Sequence, residues 1–325
     1  MAAFDVTTNR ILDSVFAEAV WTGQGYEWIP SATVNLKTDQ PGGSSYGMTQ
    51  SLGGWQKTKG PIASESLTNW RFTLVPEEYH SSVAFPRKEL DYDKFGSLRM
   101  QIAQLGASFG GFQAELVTNV LLTGHTSAQN CFDGTPFIGQ SHVWPGSSTA
   151  AQSNDLSLNI NALGAVAVAG TGTVPSPEEA RNVLLRAGRS MLQFKDSQGK
   201  WMHPSGRANF SVICPMGLIE QMAKGVSLVQ GQNVVPSLDM ANVKLPMTFD
   251  IYGSPLLTND AQFYMLRTDS PSKPLAFQTL EDVKTYTFEP FTVNMVGSYQ
   301  FLATWIGNAG PWDWTKAARV TLTRS

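Results

Sequence analysis

One stretch limits what this chain can fold into more than any other: Asp93 to Gly124, DKFGSLRMQIAQLGASFGGFQAELVTNVLLTG. Phe95, Leu98, Ile102, Leu105, Phe109, Phe112, Leu116 and Val120 recur every three or four positions, which is the period of one helix face. Asp91 and Asp93 stand where an N-cap carboxylate satisfies orphan amides and complements the helix dipole, and Gly124 stands where the helix closes. At about 1.5 Å per residue, such a helix reaches roughly 40–45 Å, far beyond the average of about 11–12 residues. Gly106, Gly110 and Gly111 each cost about 1 kcal/mol inside a helix, so a close neighbour or a bend is expected there. The rest of the chain alternates strands and loops. The expected class is α+β, with this helix as its spine.

Composition narrows the function. Charged residues make up 15% of the 325, against roughly 25% in ordinary domains, so much of the surface is expected to face other protein. The net charge of −3 supplies no basic footprint for sequence-specific nucleic-acid binding. Two cysteines, Cys131 and Cys214, make no disulfide framework. The N-terminus MAAFDVTTNR has neither the basic region nor the apolar core of a signal peptide, and no apolar run reaches the roughly 18–20 residues of a membrane span. A soluble protein, cytoplasmic when made, is expected.

Along the chain, residues 4–20 carry a short amphipathic pattern through Ile11, Val15, Phe16 and Val20, read as an arm-like helix. Residues 36–68 are rich in Gly, Ser, Thr and Lys and too long for an ordinary connection. Strands are expected at 70–75 and 82–85, the latter stopped by Pro86. After the spine, Asp133-Gly134 is a turn signal between short apolar pieces. Residues 145–176 read as a domain junction. Ser176, Pro177, Glu178 and Glu179 open a second helix running to about Phe194. A strand over Phe210–Cys214 is broken by Pro215, and a short helix, 216–224, is expected to end at Gly225. Further strands are expected at 247–252, 262–267, 285–288, 298–306 and 319–323.

Several patterns invite a catalytic or metal reading. Gly43-Ser44-Ser45-Tyr46-Gly47 matches G-x-S-x-G, but that pattern requires a sharp turn from a buried strand into a helix, and Pro41 with polar residues precedes it. Cys131, Asp133 and His142 have the types of a thiol nucleophile and its base; a turn Asp, a small buried Cys and a loop His account for them more simply. His125, Cys131 and His142 are too irregularly spaced for zinc and lack a fourth ligand. Glu89, Asp91 and Asp93 form an acidic group that helix capping explains, and Gly170-Thr171-Gly172 lacks the lysine of a phosphate loop and the third glycine of a dinucleotide site. The reading is of a protein that is not an enzyme, with no catalytic, metal or cofactor site.

The order of arm, polar loop, strand pair, spine, hairpin, α/β region and closing strands resembles the HK97-type major capsid proteins of tailed phages. More narrowly it resembles the Mu-like phage major head subunit family. The residues that carry this are Trp70–Gly96 leading into the spine; Cys131-Phe132-Asp133-Gly134-Thr135-Pro136-Phe137-Ile138 with His142; Phe210–Pro215 with the helix after it; and Ser298–Val320, with Trp305-Ile306-Gly307 and Trp312-Asp313-Trp314.

The resemblance implies an HK97-like fold divided as N-terminal arm 1–35, extended loop 36–68, peripheral domain 69–149 with its spine helix at 93–124, axial domain 150–275, and closing strands of the peripheral domain 276–325. It marks Cys131, Phe132, Asp133, Gly134, Phe137, His142, Pro215, Trp305 and Gly307 as structural positions. It implies pentamers and hexamers of the same chain, assembled in the host bacterial cytoplasm into an icosahedral virion capsid. The expected partners are a separate scaffolding protein, a portal and a decoration protein, with double-stranded DNA contained and not read. Trp55 amid Gly53 and Gly54 suits a loop lying on an adjacent subunit, with Lys37, Lys57 and Lys59 as candidates for ion pairs between subunits. The alternatives weighed are an encapsulin-like compartment shell, a tail or decoration protein, and a hydrolase using Ser45 or Cys131.

Overall fold

The computed structural model describes residues 12–17, 27–49, 69–86, 96–163, 169–202, 207–229, 247–288 and 298–324. The spine helix runs from Ser97 to Thr123, about 40 Å at 1.5 Å per residue. Its N-cap is Gly96, in the left-handed region at φ 67°, with no side-chain cap bond. A capping aspartate is therefore not what starts the helix; Asp91 and Asp93, with Glu89, lie outside the described residues. Gly124 closes the helix at φ −57°, so it is not there for a left-handed turn. A Cβ at that position would come within 2.9 Å of the Val120 carbonyl and 3.1–3.2 Å of Ile138 and Phe137; glycine lets the next segment lie directly on the helix end.

The spine joins two hydrophobic cores. Leu98, Ile102 and Leu105 pack with Phe85, Tyr299, Phe301, Ala303 and the arm residues Leu12 and Phe16. The arm pattern expected in 4–20 is thus seen as helix at 12–17. Val117, Val120 and Leu121 belong to the other, larger core. The first core lies on a four-stranded sheet ordered β1 (Thr33–Lys37), β9 (Leu275–Phe288), β10 (Ser298–Pro311) and β4 (Glu77–Pro86). β1 runs parallel to β9, and the other pairings are antiparallel. Along β10, alternate residues Tyr299, Phe301, Ala303 and Trp305 are buried, the period of a strand with one face on a core.

The larger core surrounds a five-stranded sheet ordered β5 (Asp155–Asn159), β11 (Ala317–Thr323), β8 (Gln262–Arg267), β6 (Ala208–Pro215) and β7 (Met247–Ser254). Here the chain departs from the expected division. Residues 276–325 do not stay together: β9 and β10 complete the four-stranded sheet, whereas β11 crosses over to lie between β5 and β8. Ala318, Val320 and Leu322 are buried in that second core, and Arg319 makes a two-pronged pair, 2.9 Å and 2.9 Å, with its register partner Asp155. Likewise Phe132, Phe137, Ile138 and Trp144, within the segment expected to go with the spine, pack into the larger core.

Two helices accompany this sheet. The first, Pro177–Leu192, has the capping box that its sequence announces: the Ser176 hydroxyl accepts from Glu179 N, and the Glu179 carboxylate accepts from Ser176 N. The second spans Ile219–Val229, so it does not stop at Gly225. A Cβ on Gly225 would sit 2.9 Å from Ala180 Cβ, 3.0 Å from Arg181 N and 3.1 Å from Pro177 O. That glycine is the contact point of two crossing helices and not a terminator. Pro215 ends β6, as its missing N–H predicts.

A separate two-stranded antiparallel ribbon pairs β2 (Ser44–Thr49), inside the segment 36–68 expected as the extended loop, with β3 (Asn69–Leu74), which follows that segment. Trp55, Lys57 and Lys59 lie outside the described residues.

Candidate functional site

Behind the spine, the Cys131–His142 segment closes on itself. Asp133 and Gly134 form the expected turn, Gly134 at φ 77°, with Gly134 N bonded to Cys131 O and Cys131 N to Thr135 O. This places the Asp133 carboxylate over His142, Oδ2 to Nδ1 2.7 Å, with the Thr135 hydroxyl 2.8 Å from the same nitrogen. Both charged side chains are fully buried. Across the ring, Nε2 lies 3.2 Å from Asn154 Oδ1.

Asn154 fixes the hydrogens. Its Nδ2 donates to the Phe137 and Trp314 carbonyls, 2.8 and 3.2 Å, and its Oδ1 accepts from Gly139 N at 2.8 Å. The amide oxygen therefore faces His142, and Nε2 must donate to it. The short Nδ1–Asp133 contact holds a second proton between the two groups. The pair is neutral as a unit, which is the condition for burying it without a large desolvation penalty.

The ring of His142 stacks on Trp314, centroids 4.2 Å apart and planes 8° from parallel. Trp144 and Phe194 flank Trp314 at 5.9 and 5.4 Å, and Phe132 lies 5.3 Å from Trp144. The result is a clasp that draws together the loop after the spine, the approach to β5 and the closing segment before β11. Asn154, its most connected member, carries no sequence signal beyond a polar residue ahead of a strand.

The geometry assigns the remaining candidates structural positions. The Cys131 thiol is buried, and burial first, then the Asp133 and Asp313 carboxylates, push its pKa well above the ordinary range. His142 spends both nitrogens on other partners, so the pair has neither a thiolate nor a free base. Ser45 is exposed on β2 opposite Thr73, and β2 runs into no helical elbow. His125 is exposed whereas Cys131 and His142 are buried, and among the described residues no group of His, Cys, Asp or Glu could hold a metal ion. Gly170 N and Gly172 O are taken by Glu179 and Arg324.

Trp305 and Gly307 build the second clasp, between spine and sheet. The Trp305 ring stacks on Tyr79 and Phe277 at 5.7 and 5.5 Å and meets Phe109 and Phe112 edge-on. A Cβ on Gly307 would stand 2.3 Å from that indole and 2.4 Å from Gln278 O, so only glycine allows it. The root of the β2–β3 ribbon is tied to the same sheet. Gln278 Nε2 donates to the Tyr46 hydroxyl at 2.8 Å, and Tyr46, Phe72 and Trp312 form a ring cluster 5.3–5.8 Å apart. Lys37 pairs within the chain, 3.3 Å from Asp282, both highly exposed.

This arrangement of arm, ribbon, spine and two sheets is an HK97-like capsid fold. It is shared with the "Procapsid of bacteriophage JBD30" (14% identity, 98% of this chain and 76% of that one, TM-score 0.52) and the "Capsid of native GTA particle" (10%, 92% and 91%, 0.54). It is shared equally with a virus-like particle from Pyrococcus furiosus (11%, 96% and 98%, 0.53). Residues 14–163 match the family described as Mu-like prophage major head subunit gpT, a span that contains the ribbon, the spine, the Asp133–His142 turn and Asn154. The structural likeness shows the fold, and the family match covers just under half of the chain. No curated protein matches the chain in sequence.

Proposed function

We propose that this chain is the major capsid protein of a tailed phage, tiling as pentamers and hexamers into an icosahedral shell around double-stranded DNA. The observation that carries this is the family match over 14–163 on a chain with the capsid fold. The fold alone does not separate a phage head from the Pyrococcus furiosus particle; the family match favours the head. The ribbon supports the reading, since among the described residues its ties to the body are at the root, leaving 50–68, with Trp55, Lys57 and Lys59, to engage an adjacent copy. Lys37 joins them as a surface charge whose present partner is an exposed carboxylate worth little in water.

A net charge of −3 suits a wall that contains DNA better than a grip on phosphates. A separate scaffold, a portal and a decoration protein belong to the same proposal, as do assembly in the host cytoplasm and the absence of any catalytic step. No described helix is long and apolar enough to cross a membrane. The test is electron microscopy of the chain expressed alone, with size-exclusion mass, repeated with its neighbouring head genes. Rings of five or six, or closed shells, are expected, and Ser45→Ala and Cys131→Ala should form them equally well. A monomer under both conditions would overturn the reading.

A further inference from the structure

Three consecutive residues carry the chain from the ribbon root to the centre of the buried clasp. Trp312 packs between Tyr46 and Phe72 of the ribbon, 5.8 and 5.3 Å. Asp313 is anchored on every side: its N–H and that of Trp312 donate to Pro274 O, and its carboxylate accepts from Ser272, Thr315 N and Thr315 Oγ1. Trp314 then stacks on His142 and accepts from Asn154 through its carbonyl. Because Trp312 and Asp313 are bonded to the 272–274 segment, a shift of Trp312 reaches Trp314 together with that segment, and the two act as one bonded unit. Two buried polar atoms, Gln278 Oε1 at the ribbon end and Trp314 Nε1 at the clasp end, have no hydrogen-bond partner among the described residues. Atoms of this kind mark places where a second arrangement can gain a bond.

We propose that residues 312–314 form a strap that transmits displacement of the β2–β3 ribbon to the Asp133–His142–Asn154 clasp, so that ribbon position and the packing of the five-stranded unit are coupled. The proposal rests on the capsid reading only in naming the stimulus, a neighbouring copy engaging the ribbon. It is tested on the unassembled chain, so failure of the strap and failure of shell formation are separate results.

The measurement is amide hydrogen exchange in wild type, Tyr46→Phe, Trp312→Leu and the double variant. Tyr46→Phe removes only the hydroxyl that Gln278 bonds. The amides of Gly139, His142, Gln152 and Asn154 belong to the clasp; those of Phe210–Cys214 on β6 lie in the same sheet but off the strap. In Tyr46→Phe the clasp amides should exchange at least about five-fold faster with β6 unchanged, and the double variant should match Trp312→Leu alone, since both act through one path. Acceleration confined to the ribbon, or spread equally over clasp and β6, overturns the proposal. Should Trp312→Leu fail to fold, Tyr46→Phe decides by the same two criteria.

Discussion

Replacing Asn154 with alanine is the most severe single test of the clasp. The side chain makes four hydrogen bonds, the one from Gly139 partly buried and the others fully: to Phe137 O at 2.8 Å, to Trp314 O at 3.2 Å, from Gly139 N at 2.8 Å and from His142 Nε2 at 3.2 Å. Alanine fills none of these roles, and no solvent reaches the site, since Asn154 is 0% exposed. At roughly 1 kcal/mol for each buried partner left unsatisfied, the low end of the usual range, the three fully buried bonds put the loss at about 3 kcal/mol. Asn154→Asp is the sharper control. It keeps the acceptor for Gly139 and His142 but turns the other atom into a second acceptor facing two carbonyls, and it adds a buried charge, so it should destabilise at least as much. Urea unfolding of the unassembled chain, followed by tryptophan fluorescence, reads both, with Trp314 and Trp144 as reporters inside the affected region. If each substitution lowers stability by less than about 1 kcal/mol, the four contacts do not hold the three segments together and the clasp is a passive neighbour of the core.

Other substitutions probe other joints. Burial works to raise the Glu179 pKa, but Arg324 and the Ser176 and Gly170 amides outweigh it and carry it from 4.5 down to about 2. The stabilisation is therefore present above pH 4.5 and lost as pH falls toward 2. At about 1.4 kcal/mol per pKa unit, and allowing for screening of the partly exposed guanidinium, it amounts to about 2 kcal/mol, and Glu179→Gln should flatten the acid limb of a stability–pH curve. Gly225→Ala should cost about 1–3 kcal/mol in urea unfolding through its collision with Ala180 and Arg181. Gly111→Ala meets nothing within 4 Å and should gain up to about 1 kcal/mol in the unassembled chain; a loss there would mean that the helix needs the glycine for its shape. Gly307→Ala, with an indole and a carbonyl inside 2.5 Å, should abolish the near-ultraviolet dichroism of the Trp305 cluster or prevent folding.

The sequence made the spine legible because eight apolar residues at helical spacing leave few alternatives, and it made the Ser176 cap legible because a capping box is local chemistry. Turn, strand and proline signals around Asp133-Gly134 and Pro215 were readable for the same reason. Glycines misled where their role is set by a distant neighbour: Gly225 looks like a helix stop and is a crossing point, and Gly124 looks like a left-handed cap and is a close approach. The crossover of β11 to the five-stranded sheet was hidden because strand propensity says nothing about which sheet a strand joins. Asp133 and His142 could be singled out as a motif. Their third partner, Asn154, belongs to another segment, and only tertiary structure brings it to them.

The two clasps make the spine more than a long helix. Its first half is fixed to the four-stranded sheet by Leu98, Ile102 and Leu105, and its last turns are fixed to the larger core by Val117, Val120 and Leu121. Between them, Phe109, Gly110, Gln113 and Ala114 border a cavity of about 1000 Å³, and Gly111 has open space where a side chain would stand. This middle stretch is held on one side by Phe109 and Phe112 against the Trp305 cluster, while Gly111 faces open space on the other. The helix is thus anchored at both ends and along one side of its middle, with Gly110 and Gly111 its residues of highest backbone freedom there. Each sheet is therefore carried on a different part of the spine, the four-stranded sheet on its first half and the larger core on its last turns.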